Sequence, residues 1–196
     1  MSEDAPDATL WLEAVAGTES SFATLFDRYR ARVFRKAYGR VRSVSDAEDI
    51  VAVVFLEAWR NRDRMRLVEG SILPWLLTVT TNVTLNNQRT SRRYRRLLAR
   101  LPQVEDAQDH ADDVAHRLDS RERAASVTRA LRALPAAERT IVDLCIIDEL
   151  PLVTAAAALG LPVGTVKSRL HRARQRLRID LSEPHTPVAP VAAQAE

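Results

Sequence analysis

The sequence predicts an all-α protein: two small helical domains joined by a flexible acidic linker, the second a four-helix module with a helix-turn-helix. Three observations predict it. Glycine is scarce, at 5 in 196 residues, and long Val/Ile/Thr alternations are absent, which argues for helices rich in Ala, Leu and Arg. Apolar residues recur at three- and four-residue steps in several separate runs. The net charge of +3 hides a strong segregation. Residues 1–27 carry six acids and no Lys or Arg, and residues 28–100 carry 17 basic residues against six acids. Residues 101–122 hold 2 against 7, and residues 123–181 return to 10 against 5. Two basic blocks split by an acidic strip suit two contact surfaces for a polyanion.

A loose start leads into a short helix around Leu10–Val15. Phe22, Leu25, Phe26, Tyr29, Val33, Ala37 and Tyr38 lie at helical spacing and give one long amphipathic helix. Ser45, with Glu48 three positions on, predicts a capping box for the next helix, whose buried stripe is Ile50, Val51, Val54, Phe55, Ala58 and Trp59. A polar Arg60–Gly70 segment follows. A further helix opens near Ser71–Trp75, with Pro74 tolerated in its first turn, and runs through Val79 and Val83 into Arg96. These elements make a first domain of residues 10–96. Residues 97–122, with Pro102 and many acids, read as the linker. The second domain covers 123–181, with helices predicted at 121–133, 136–147, 152–159 and 163–179. Pro135 starts a turn, Asp148–Pro151 breaks the chain, and Gly160 closes the short helix. Residues 182–196, rich in Pro and Ala, have no core-forming content and read as a disordered tail.

Composition also excludes function classes. The lone Cys145 rules out a disulfide framework and suits a reducing, cytoplasmic compartment. No basic segment leads into an apolar run at the start, so no signal peptide is expected, and no apolar stretch predicts membrane insertion. No Cys/His metal spacing, phosphate-cradling glycine loop or nucleophile elbow is present, so no catalytic residue, metal or cofactor is predicted. The acids at Asp46, Glu48 and Asp49 crowd a helix start, where a positive dipole end favours them without any catalytic role.

The sharpest local signal is the run from Thr154 to Arg178. A short helix of small residues, a tight turn at Gly160 and a longer basic helix make a helix-turn-helix. Val166, Leu170, Ala173 and Leu177 share the inward face. Lys167, Ser168, His171, Arg172 and Arg174 lie off it, and residues 165–178 carry six Lys/Arg and no acid. Such side chains suit phosphate contacts, and Lys or Arg can donate to guanine in a major groove. The second signal is the end of the first domain. Trp75, Asn82, Asn86, Asn87, Gln88, Arg89, Arg92, Arg93, Arg95 and Arg96 combine groups that bind phosphates and hold unstacked bases. Trp59 and Trp75 singly read as core residues. On these residues alone a conventional helix-turn-helix regulator, or a protein-interaction adaptor, stays open beside a promoter-reading factor.

The pieces together resemble the extracytoplasmic-function (ECF, group 4) sigma factors of the bacterial sigma-70 family, over residues 10–180. Region 2 is matched by Phe22-Ala-Thr-Leu-Phe-Asp-Arg-Tyr29, Asp46-Ala-Glu-Asp-Ile-Val51, Val54-Phe-Leu-Glu-Ala-Trp59, and Pro74-Trp-Leu76 with Asn82. Region 4 is matched by Leu134-Pro135, Leu159-Gly160 and Gly164-Thr-Val-Lys-Ser-Arg-Leu-His-Arg-Ala-Arg174. The resemblance implies that Asp46, Asp49, Val53 and Glu57 face the clamp helices of the polymerase largest subunit. It implies that Asn61, Arg64, Asn82, Arg89, Arg92 and Arg93 open and hold the −10 element as single strand. Lys167, Ser168, His171 and Arg172 would approach base edges in the −35 major groove, with Arg169, Arg174 and Arg176 positioning the backbone. Partners implied are core RNA polymerase, including the flap of its second-largest subunit, promoter DNA and an anti-sigma factor. Three places depart from the family pattern: Ala52-Val53 stand where a Gln-Glu pair is common, Ala155-Ala156 replace a polar Glu-Ile, and Pro162 replaces a capping Ser.

Overall fold

A computed structural model of the chain describes residues 5–98 and 125–182, with side chains described up to residue 86 and from residue 125 onward. The linker expected over 97–122 lies outside the described residues except for Leu97 and Leu98, which continue a helix, and the tail does so except for Ser182. Among the described residues the structure is helical, apart from turns and one isolated bridge between Val68 and Ser71.

The first half is built from α1 (Asp7–Val15), α2 (Glu19–Val41), α3 (Val44–Arg60) and α4 (Leu73–Leu98). The extended backbone of Pro6 opens α1 three residues earlier than the apolar pattern begins, and Leu10, Trp11 and Ala14 turn inward. α2 ends where Arg42 takes a left-handed conformation (φ 57) and donates its N–H to the Tyr38 carbonyl. α3 is capped by Ser43, not by the expected Ser45: the Ser43 hydroxyl accepts from the Asp46 N–H at 3.2 Å. Ser43 has extended backbone (φ −129, ψ 128) as the chain leaves the Arg42 turn, whereas Ser45 is already inside the helix. Leu25, Val33 and Ala37 of α2, Ala47, Ile50, Val54, Phe55 and Ala58 of α3, and Leu76 of α4 share one core with Leu10 and Trp11. Aromatic edges tighten it, with Phe26 against Phe55 at 4.7 Å and Phe22 against Trp59 at 5.0 Å between ring centres.

The second half comprises α5 (residues 125–133), α6 (Ala136–Val142), a π-helical turn (Asp143–Ile147), α7 (Leu152–Leu159) and α8 (Val163–Ser182). The helix expected over 136–147 is therefore two segments. Its last turn widens, and the Asp148 N–H reaches back five residues to the Asp143 carbonyl at 2.9 Å. Gly160 closes α7 in the left-handed conformation (φ 63). Pro162 stands before α8, its carbonyl accepting from Thr165 at 2.9 Å and Val166 at 3.2 Å. Val166, Leu170 and Ala173 are buried against Leu134, Ile141, Val142 and Ala156, with Leu177 packed at the margin.

The two cores touch. Leu77 of α4, Leu144 of the π turn and Ala155 of α7 form a third, fully enclosed cluster, so α4 packs against both halves. Four threonines in the middle of α4 are buried, and each satisfies its hydroxyl on the preceding turn: Thr78 on Pro74, Thr80 on Leu76, Thr81 on Leu77 and Thr84 on Thr80, at 2.7–3.0 Å. This back-bonding lets a polar residue be enclosed without an unmet donor.

Candidate nucleic-acid interface

Three surfaces carry the polar residues singled out in the sequence. The first is the outer face of α8. Packing of Val166, Leu170 and Ala173 fixes the helix rotation, so Lys167, Ser168, His171, Arg172 and Arg174 are exposed on the side away from the core. Arg169 is half-buried. Arg176 lies within 3.5 Å of Glu138 on α6, a buried carboxylate, and so ties α8 to its neighbour. The Ser168 hydroxyl donates to the Thr165 carbonyl at 3.0 Å, within the first turn. A helix of this length is about 30 Å long and fits a major groove some 12 Å wide.

The second surface is the segment from Asn61 to Ser71 with the start of α4. Arg64 and Asn82 are exposed. Asn61 is turned inward: its amide donates to the Glu57 carbonyl at 2.8 Å and to the Glu57 carboxylate at 3.0 Å, closing the end of α3. Arg62 lies 4.2 Å above the Trp59 ring and donates to the Trp59 carbonyl, which engages one face of that indole. Trp59 and Trp75 are both half-buried, Trp75 against the core and Trp59 against Phe22. Arg89, Arg92 and Arg93 fall within the span of α4, but their side chains lie outside the described residues. The segment ends in a tight turn with Glu69 (φ 52) and Gly70 (φ 76) at its centre, closed by two hydrogen bonds of 3.0 Å between Val68 and Ser71.

The third surface is the exposed side of α3. Asp46, Asp49, Val53 and Glu57 recur at three- and four-residue steps, the first three exposed and Glu57 half-buried beside Asn61. Val53 (43% exposed) and Leu56 (54%) put an apolar strip among these acids. On the neighbouring flank a groove of about 560 Å³ lies between α2 and α3, lined by Phe26, Arg30, Phe34, Glu48, Val51 and Ala52 among others. Ala52-Val53 is thus a surface feature.

Two constellations were not legible from local spacing. Asp7 is a buried carboxylate that accepts from Arg28 at 2.6 Å, Tyr29 at 2.5 Å, Ser71 at 2.7 Å and the Ile72 N–H at 3.2 Å. Burial alone would raise its pKa, but the hydrogen bonds from Tyr29, Ser71, Arg28 and Ile72 outweigh that and hold it below the ordinary value. Burial and the bond to Asp7 push the Tyr29 phenol up. One side chain so joins α1, α2 and the base of the Glu69–Gly70 turn. The other constellation crosses the two halves: Lys36 pairs with Asp148, Arg40 with Asp143, and Thr154 donates to Glu69 at 2.9 Å. Burial lowers the Lys36 pKa and raises that of Asp143, in each case against the pull of the opposite charge. A weak sequence signal existed for α2, because Arg40 continues the step of Val33 and Ala37.

A helical chain whose second half carries a helix-turn-helix with a basic outer face has the build of a DNA-reading factor. The comparisons specify the family. Residues 25–94 match the family described as Sigma-70 region 2, and residues 124–177 match Sigma-70, region 4. The chain is 30% identical to the ECF RNA polymerase sigma factor SigW of Bacillus subtilis over 173 residues, 85% of this chain and 92% of the relative. It is 34% identical to the ECF RNA polymerase sigma factor SigE of Mycolicibacterium smegmatis over 181 residues, 89% of this chain and 68% of the relative. Among solved structures it is similar in fold to CnrH, determined with the cytosolic domain of CnrY (TM-score 0.57, 24% identity, 90% of this chain and 99% of that one). It is likewise similar to RpoE of Bartonella quintana, determined with the anti-sigma factor NepR (TM-score 0.52, 24% identity, 84% and 98%). The chain belongs to the ECF sigma factors of the sigma-70 family.

Proposed function

We propose that this chain is a dissociable RNA polymerase subunit that directs the core enzyme to specific promoters, reading the −35 element as duplex and opening the −10 element. The single observation that carries this reading is the joint presence of region 2 and region 4 matches, in that order, on one chain. The exposed basic face of α8 supports the −35 assignment. In it, Lys167, Ser168, His171 and Arg172 approach base edges, and Arg169, Arg174 and Arg176 hold the phosphate backbone. Asn61, Arg64, Asn82, Arg89, Arg92 and Arg93 are assigned to the −10 strand. Asn61 must release Glu57 to do so, which makes it the weakest ligand of the set in the free chain. Asp46, Asp49, Val53 and Glu57 are assigned to the core polymerase, the apolar strip at Val53 and Leu56 supplying a contact that charge alone would not.

On this reading the chain performs no bond chemistry: the polymerase does, and the factor captures flipped bases and stabilises opened DNA. It acts in the cytoplasm, where the polymerase is, and among the described residues no helix is long and apolar enough to cross a membrane. An anti-sigma factor is a further partner, as for the RpoE–NepR pair. The test is run-off transcription with core polymerase over a genomic fragment library, followed by mapping of 5′ ends. Transcripts that start downstream of one shared pair of elements, only when the chain is present, support the reading. Core association without any such starts refutes it.

A further inference from the structure

A cavity of about 260 Å³ lies between α2 and the second half of the chain. Its walls carry five cationic side chains: Arg35, Lys36 and Arg40 from α2, Arg132 from α5 and Arg139 from α6. Only two carboxylates stand among them, Asp143 and Asp148. Both are already engaged, Asp148 with Lys36 and Asp143 with Arg40, and these four side chains are between 2% and 16% exposed. Arg139 is held in place at the end of α5, where its guanidinium donates to the Arg132 carbonyl at 2.5 Å and the Leu134 carbonyl at 3.2 Å. Arg35 and Arg132 are exposed, one from each half, and among the described residues no carboxylate pairs with either.

A run of basic residues on a solvated face needs no ligand, but this set is arranged otherwise. The cations come from three helices and converge on one concavity. The two acids neutralise only two of them, which leaves a positive excess in a cleft, and a charged cleft concentrates ions of the opposite sign. Leu131 and Ile147 add apolar surface to the same walls, which lowers the local dielectric and strengthens that attraction. Burial holds the Lys36 pKa below its ordinary value against the pull of Asp148, and a further anion nearby would offset the same cost. The volume falls short of the roughly 300–1,000 Å³ that drug-sized ligands occupy, so the occupant is compact. Guanidinium forks match phosphate oxygens two at a time, and each phosphate group offers several strong acceptors. Two linked phosphates have enough acceptors to meet a guanidinium from each half at once.

We propose that this cleft binds a compact anion of two linked phosphates, either free pyrophosphate or the phosphate end of a nucleotide, held between Arg35 on α2 and Arg132 and Arg139 on the second half. Lys36 and Arg40 have a supporting part: by pairing with Asp148 and Asp143 they keep those carboxylates from repelling the ligand. The site does not rest on the promoter reading above. An anion gripped by residues of three helices binds the folded chain and not the unfolded one, so it raises stability as its concentration exceeds Kd.

The test titrates sodium pyrophosphate calorimetrically into the full-length chain, at fixed ionic strength and without divalent cations. Sulfate and a nucleoside triphosphate are parallel arms. Pyrophosphate should bind once per chain and about tenfold tighter than sulfate, and at about 100 times Kd it should raise the melting temperature by several degrees. Arg35→Gln and Arg132→Gln should each weaken it about tenfold or more, the worth of a hydrogen bond to a charged group. Both side chains are exposed, so melting without ligand should be unchanged. Arg132→Lys, which keeps the charge and loses the fork, should recover only part of the affinity. The Lys167→Ala/Arg172→Ala variant on α8 loses two charges elsewhere and should bind pyrophosphate as wild type does. Tighter binding of the triphosphate than of pyrophosphate supports the site with a nucleotide as its ligand; binding no tighter supports it with the free diphosphate. Pyrophosphate that binds no better than sulfate would overturn the site, and so would an equal loss in the α8 variant.

Discussion

The basic helix α8 and the Asn61–Ser71 segment are both rich in polar side chains, yet the structure treats them differently. On α8, Lys167, His171 and Arg172 are exposed, and among the described residues none of them is drawn into an ion pair. In the segment, Asn61 is held by Glu57, Arg62 by Trp59, Ser71 by Asp7 and Glu69 by Thr154. The difference separates polar groups that await an external partner from groups that shape the chain. Substitution on α8 should change what is read and leave the fold alone. Substitution around the segment should change the fold or its closure first.

The largest expected effect lies on the shaping side. Asp7→Ala leaves Arg28, Tyr29, Ser71 and the Ile72 N–H without their shared acceptor, and should cost about 3 kcal/mol in chemical denaturation. If α1 and the turn were held by apolar packing alone, the loss would be a few tenths. Next, Arg172→Ala and Lys167→Ala should each weaken −35-dependent transcription by about 5- to 100-fold, the range of a base contact. Both should leave the melting curve and core association unchanged. Equal loss on a template lacking the −35 element would undo the contrast between the two regions.

A smaller effect is set by pH. The Asp7 carboxyl titrates below its ordinary value when folded. Its contribution is therefore fully present above the unfolded value near pH ~4 and is lost as pH falls through the folded value. Asp7→Asn should remove that acid-labile part, and denaturation midpoints of the two proteins should converge once pH falls below the folded value of Asp7. Val53→Glu should weaken association with core polymerase about fivefold, the worth of a partly exposed valine transferred to a contact at about 1 kcal/mol, measured by surface-immobilised core. The smallest is the cap. Ser43→Ala should cost about 1 kcal/mol and Ser45→Ala only a few tenths, by thermal melting.

Ser43 and Ser45 divide what the local sequence dictates from what it leaves open. A serine before an apolar stripe was a sound signal for the start of α3, but two serines satisfied it. The left-handed turn at Arg42 decided between them. The helix-turn-helix was legible in full, because Gly160, Pro162 and the Val166–Leu170–Ala173 stripe are local features with local causes. The outward face of α8 followed from them. The extra residue of the π turn was invisible, since helical spacing in the sequence does not reveal one widened turn. Lys36 and Asp148 lie 112 residues apart, and nothing near either announces the other. Asp7 reads as one acid among six in an acidic start, although it ties α1 to α2 and to the turn before α4. The two halves were expected as separate domains, and their contact had a partial trace only in the small side chain of Ala155.

What the chain gives core polymerase is its promoter choice. The most direct measurement is run-off transcription from a mapped promoter by core polymerase, with wild type and with the Lys167→Ala/Arg172→Ala double variant. A discrete transcript that requires the chain is expected, and so is its loss in the double variant although that variant still binds core. A chain that binds the duplex tightly by itself, never associates with core and yields no transcript would contradict it.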